Sequence, residues 1–104
     1  MGWTISHGTP TGAPTTRSYN WVGTLAENLA HALTSRDWAL LRPVFSRGSG
    51  DPFTISPDGA HTIAALLRRA AGSGLMTKES AQDVLLLADA ADRAATAGHL
   101  WQWS

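Results

Sequence analysis

The four histidines are the residues of this 104-residue sequence that are best suited to acid–base or metal chemistry. His31 follows Glu27 by four residues, a spacing typical of a solvent-exposed pair on one helix. His61 lies in another predicted helix. Neither helix carries the paired ligands, three or four residues apart, that zinc and di-iron sites use. We therefore predict no metal site and no cofactor.

The other two histidines, His7 and His99, each lie at the end of a predicted strand. Their imidazoles converge if the first and last strands are neighbours in one sheet, with Trp3, Trp101 and Trp103 close by. That arrangement would give a small-molecule site or a hydrolytic centre between sheet and helices. The alternative is that both are ordinary histidines at strand ends, and the sequence leaves the two interpretations open.

The sequence contains no recognisable catalytic motif. Ser6 precedes His7, but adjacent strand residues point to opposite faces, so the two do not form a nucleophile–base pair. Segment 47–51 contains two glycines but lacks the Lys-Ser/Thr ending of a phosphate-binding loop. We therefore predict no catalytic residues and expect that the protein is not an enzyme.

Charge and composition argue against several classes of function. Charged residues make up 15% of the chain, against about 25% in typical globular domains, and the formal net charge is zero. Such a surface favours a protein partner or self-association and argues against nucleic acid, which needs clustered Lys and Arg. The absence of cysteine suits the cytoplasm. We see no secretory signal, and the longest apolar run, 84–88, is too short to span a bilayer.

The elements that must position these residues are helices and short strands. Periodic apolar residues predict four helices, over residues 20–34, 36–41, 57–71 and 77–98. Ser56 and Thr77 are expected N-caps. Gly98 is expected to end the last helix, and Pro43 the second. Alternating apolar residues predict three strands, over 2–8, 53–55 and 99–103.

These elements predict a single compact α+β domain over residues 1–104. Its four helices pack on a small three-stranded sheet that the N-terminal, middle and C-terminal segments form. Residues 8–18 contain two prolines and two glycines, which predict a mobile surface loop.

The last predicted helix is apolar on almost all sides. Its one polar stripe consists of Lys78, Gln82, Asp89, Arg93 and Thr96. A helix of this kind is normally buried on more than one side, or else it forms half of a subunit interface.

Five tryptophans are many for a chain of this length. Those of the terminal strands are core residues in one interpretation and exposed anchors of a binding surface in the other. We expect a non-enzymatic protein-interaction or regulatory module that acts through an apolar, tryptophan-bearing surface. Its partner would be another protein or a second copy in a homodimer. The predicted binding residues are Trp3, His7, His99, Trp101 and Trp103.

Other roles stay open at this point. Residues 101–104 could be a tail that a modifying enzyme acts on. Inhibitor, antitoxin and immunity roles suit a chain of this size, and nothing in the sequence selects among them.

Three segments carry a resemblance to a known family: Gly-Trp-Thr-Ile-Ser-His-Gly at 2–8, Asp-Pro-Phe-Thr-Ile at 51–55 and Leu-Trp-Gln-Trp at 100–103. Together they resemble a family of small uncharacterised proteins from high-GC actinobacteria, known only as a domain of unknown function. The resemblance spans nearly the whole chain. It implies a bacterial cytoplasmic protein and brings no activity with it.

Overall fold

The computed structural model describes residues 2–7, 15–45 and 53–103, which form four β-strands and four α-helices. In chain order these are β1 (Gly2–His7), β2 (Thr15–Ser18), α1 (Tyr19–Ala32), α2 (Ser35–Phe45), β3 (Phe53–Ile55), α3 (Pro57–Ala71), α4 (Lys78–Ala97) and β4 (Trp101–Trp103). The predicted α+β class with four helices is confirmed.

The strands form one antiparallel sheet in the order β2-β1-β4-β3. The C-terminal strand lies between the N-terminal and middle strands, so Trp103 is opposite Ile5 on one side and Phe53 on the other. The predicted meeting of the two ends of the chain with its middle is therefore confirmed. Directly opposed residues share a face of the sheet, which places the apolar side chains together against the helices.

The sheet has four strands, and the prediction of three was wrong. Thr15–Ser18, assigned to a mobile loop, pairs with β1 as an edge strand. The prolines and glycines of the predicted loop lie at 8–14, outside the described residues, whereas 15–18 begins with two β-branched threonines. An edge strand needs only one partner, and β1 provides it.

The ends of the helices follow the predicted cap chemistry. The hydroxyls of Ser56 and Thr77 accept hydrogen bonds from Gly59 N–H (3.1 Å) and Ser80 N–H (3.2 Å) at the starts of α3 and α4. Gly98 ends α4 in the left-handed region with φ 70°.

The second helix continues past Pro43, where it was predicted to stop. Proline removes one N–H donor from a helix, but tertiary packing outweighs that loss here. Phe45, in the last turn, is only 2% exposed and makes an edge-on contact with Trp103 at a centroid distance of 5.9 Å. A buried phenyl ring stabilises by about 1.5–3 kcal/mol, enough to keep the final turn helical.

Small side chains bring the last two helices close together. Ala60, Ala64, Ala88, Ala91 and Ala94 have no exposed area, and they allow α3 and α4 to pack at short range. The predicted polar stripe of α4 is exposed along its whole length. The helix is thus buried on several sides and open on one.

Replacing Gly98 by Ala tests the left-handed end of α4. A side chain at φ 70° is strained, so we expect the free energy of unfolding to fall by about 1 kcal/mol in urea denaturation. Gly23→Ala is the matched control, because Gly23 is exposed inside α1 with nothing within 4 Å of an added Cβ. It should gain about 0.5–1 kcal/mol. Equal effects at both sites would contradict the assignment.

Replacing Phe45 by Ala tests the last turn of α2. We expect a loss of about 3–5 kcal/mol in the free energy of unfolding, because the change opens a cavity against Trp103. Leu40→Ala in the same helix, where the leucine is 59% exposed, should cost less than about 0.5 kcal/mol. If the two substitutions cost the same, the turn beyond Pro43 does not pack as described.

Candidate functional site

The three tryptophans of the predicted binding surface lie together in the core. Trp3, Trp101 and Trp103 are each 1% exposed. The ring of Trp103 lies 5.8 Å from that of Trp3 and 5.2 Å from that of Trp101, both edge-on, and stacks on Phe53 at 5.6 Å. In this structure they join the sheet to the helices and offer no exposed surface to a partner.

His7 ends β1, whereas His99, predicted to begin the last strand, lies two residues before β4, the strand that pairs with β1. His7 is opposite Trp101 in the β1–β4 register, two positions along the chain from His99. The backbone N–H of His99 donates to the carbonyl of Ala94 at 2.9 Å, which closes the end of α4 together with the Gly98 bond to Ala95 at 3.1 Å. The side chain of His7 lies outside the described residues, so a site made by the two imidazoles stays a prediction.

A cavity of about 100 Å³ does lie between sheet and helices, at the β2 edge. Four elements supply its walls: β1, β2, the first turn of α1, and one flank of α4. Ile5 and Leu87, 3% and 4% exposed, are its deepest residues. The other lining residues are Arg17, Trp21, Leu86, Ala90 and Arg93.

The register of the hairpin places Arg17 in this cavity. Arg17 is opposite Trp3, so its side chain starts from the face of the sheet that meets the helices. Ser18 is the N-cap of α1, and its hydroxyl accepts a hydrogen bond from Trp21 N–H at 3.0 Å. This first helical turn brings Trp21, which follows Arg17 by four residues, back towards Arg17. The Arg17 guanidinium carbon lies 5.0 Å from the centre of the Trp21 ring, a cation–π contact that holds the cation in place.

Arg93 reaches the same cavity from α4. Within residues 2–7, 15–45 and 53–103 it makes no ion pair, unlike Arg68. Arg68 contacts Asp92 and, at 3.0 Å, Asp89, and these hydrogen bonds raise the pKa of its guanidinium above the ordinary value. Within the described residues, the charged side chains that line the cavity are both arginines, and Asp89 and Asp92 lie near Arg93 on its outer side.

The outer side of α4 carries a second feature, an open groove of about 570 Å³. It is lined by Asp89, Asp92, Arg93, Thr96 and Ala97. About one turn before this groove, Leu85 is 41% exposed and Leu86 57% exposed. One helix therefore presents projecting leucines and a shallow groove on the same exposed side.

The described ranges contain neither a cluster of metal ligands nor a helix that could span a membrane. No group of three or more His, Cys, Asp or Glu side chains there could hold a metal ion. His61 Nδ1 lies 3.9 Å from Asp92, which is a single contact. No helix of those ranges has the length and apolar character needed to cross a bilayer.

The sequence did not indicate the arginine-lined cavity. Arg17 was assigned to a loop, Trp21 to the core and Arg93 to a solvated stripe. The one available signal was the four-residue spacing of Arg17 and Trp21 across Ser18, a good N-cap residue. That signal has no meaning until 15–18 is known to be a strand.

The fold and these surfaces define a small α+β domain with an exposed helix side and one arginine-lined cavity. Residues 8–104 match the family described as "Domain of unknown function (DUF7739)", and the chain belongs to that family. No curated protein and no solved structure matches it. The predicted resemblance to an uncharacterised family is thereby confirmed.

Proposed function

We propose that the protein is a non-enzymatic interaction module with a regulatory role, and that it works as a homodimer through the exposed side of α4. The observation that carries the proposal is the exposure of Leu85 and Leu86 in the middle of that helix. Neighbouring exposed leucines on a regular element are costly in water and are typical of a surface that a partner covers.

A second copy is the partner that this surface suits best. In a two-fold antiparallel pair of α4 helices, a residue before the axis contacts a residue equally far beyond it. With the axis at the level of Ala91, Leu86 lies opposite Thr96 of the other copy and Leu85 lies opposite Ala97. The large side chains of one half of the helix then fill the groove over the small residues of the other half. Both contacts occur twice, which makes the patch self-complementary.

The charge of the chain supports the same partner. Eight basic and eight acidic residues give a formal net charge of zero, so two copies approach without long-range repulsion. On the neighbouring α3 ridge, Arg68 and Arg69 are held by Asp89, Asp92 and Asp37, and need no further partner. Apolar contact is left as the main driving force.

The size of the surface sets the expected strength. One helix side buries less than about 1,200 Å² in total, which is the range of transient complexes. We therefore expect a dissociation constant of about 1–100 μM, a range in which expression level or a ligand can shift the monomer–dimer balance. The proposal includes a bacterial, actinobacterial source and a cytoplasmic location, supported by the resemblance above and by the absence of cysteine.

Sedimentation equilibrium of Leu85→Lys tests the proposed interface. An unpaired ammonium at the Ala97 contact should raise the dissociation constant of the dimer at least about tenfold. Adding Ala97→Glu to the same chain places a carboxylate opposite each new lysine and should recover much of the affinity. Leu40→Lys is the control, because Leu40 is at least as exposed as Leu85, 59% against 41%, but lies on α2.

A monomeric wild-type chain at about 200 μM would rule the homodimer out, since that concentration exceeds the expected dissociation constant. A dimer that Leu85→Lys leaves intact, or one that Leu40→Lys weakens equally, would place the interface elsewhere.

A further inference from the structure

We propose that the cavity between β1, β2, α1 and α4 binds a small carboxylate with a short, branched apolar tail. The tail would enter the cavity and the carboxylate would lie at its mouth between Arg17 and Arg93. This site borders the proposed homodimer contact, with which it shares Leu86 and Arg93.

The depth and lining of the cavity select the apolar part of the ligand. Its deepest residues, Ile5 and Leu87, are aliphatic, so a polar group there would lose its hydrogen bonds to water. The volume of about 100 Å³ holds only three or four groups of the size of a water molecule. An isobutyl or isopropyl group fills that space, whereas a larger ring system does not enter it.

The mouth of the cavity selects the charge of the ligand. Both charged residues of the described lining are arginines, and they repel a cationic ligand. A guanidinium offers N–H donors in a planar fork that matches the two oxygens of a carboxylate. A bare inorganic anion satisfies the arginines but leaves the aliphatic floor unused, so it gains less.

The site is held in place before a ligand arrives. Arg17 is partly buried and its guanidinium lies over the ring of Trp21, so little side-chain freedom is lost on binding. Arg93 stands on a regular helix and makes no ion pair within the described part of the chain, so no existing bridge must break.

The test is a titration of the full chain with isovalerate. NMR monitors the titration at the indole N–H signals of the tryptophans. We expect the Trp21 signal to shift with a saturable curve while the signal of Trp38, on α2, does not move. Three probes define the class: isovaleramide has the same shape without charge, acetate has the charge without the tail, and inorganic phosphate is an anion alone. Each should bind at least about tenfold more weakly than isovalerate.

Two substitutions and one control connect binding to the cavity. Arg93→Gln should weaken isovalerate binding by about 10- to 100-fold, the usual effect of losing a charge-assisted hydrogen bond. Arg42→Gln, the same change at an exposed position of α2, should leave binding unchanged. Ala90→Leu fills the cavity from α4 and should abolish binding while the melting temperature shows that the chain stays folded.

Several results would overturn the proposal. The first is that the Trp21 signal does not shift with isovalerate at about 50 mM, a concentration at which even weak binding would be seen. The second is that isovaleramide, acetate or phosphate binds as tightly as isovalerate. Unchanged affinity in Arg93→Gln or in folded Ala90→Leu would do the same. The titration is repeated on the Leu85→Lys chain, so that ligand binding is measured whether or not the chain forms dimers.

Discussion

The indole of Trp103 contacts four other aromatic rings, which come from β1, α2, β3 and its own strand β4: Trp3, Phe45, Phe53 and Trp101. Each aromatic pair adds about 0.5–1.5 kcal/mol beyond the area that it buries. Within the described residues, Trp103 Nε1 is buried without a hydrogen-bond acceptor, which costs about 1–3 kcal/mol. Four ring contacts outweigh that cost. This one strand therefore holds both ends and the middle of the chain to the helices.

The arginine-lined cavity and the exposed side of α4 depend indirectly on that aromatic cluster. Because β4 fixes β1, β1 can offer its free edge to β2, and only then does Arg17 face the helices beside Trp21. The aromatic side of the sheet also supports α4, whose small residues lie against α3. The outer side of α4 is left open as a consequence. The packing on the inner side of α4 thus leaves its leucines and its groove exposed and positions one wall of the cavity.

Local chemistry explains which parts of this fold could be predicted from the sequence. The caps Ser56, Thr77 and Gly98 act within four residues of their partners, so their signals survive without tertiary knowledge. The last turn of α2 could not be predicted, because Phe45 packs against Trp103, far away in the chain. Strand β2 could not be predicted either, because Thr15–Ser18 forms a strand by pairing with β1. The cavity depends on four elements at once, so it was beyond prediction for the same reason. The surface role proposed for the tryptophans depended on exposure, which periodicity alone cannot distinguish from burial.

A formal net charge of zero conceals an uneven distribution of charge over the molecule. On the α3 side, Arg68 and Arg69 are matched by three carboxylates, those of Asp37, Asp89 and Asp92, which leaves that side slightly negative. On the other flank of α4, Arg17 and Arg93 line an apolar cavity whose described lining includes no acid. A small anion is therefore drawn towards the cavity and away from the ridge, although the chain as a whole attracts neither sign. Salt would weaken this preference at the exposed Arg93 more than at the partly buried Arg17, because only exposed charges are fully screened.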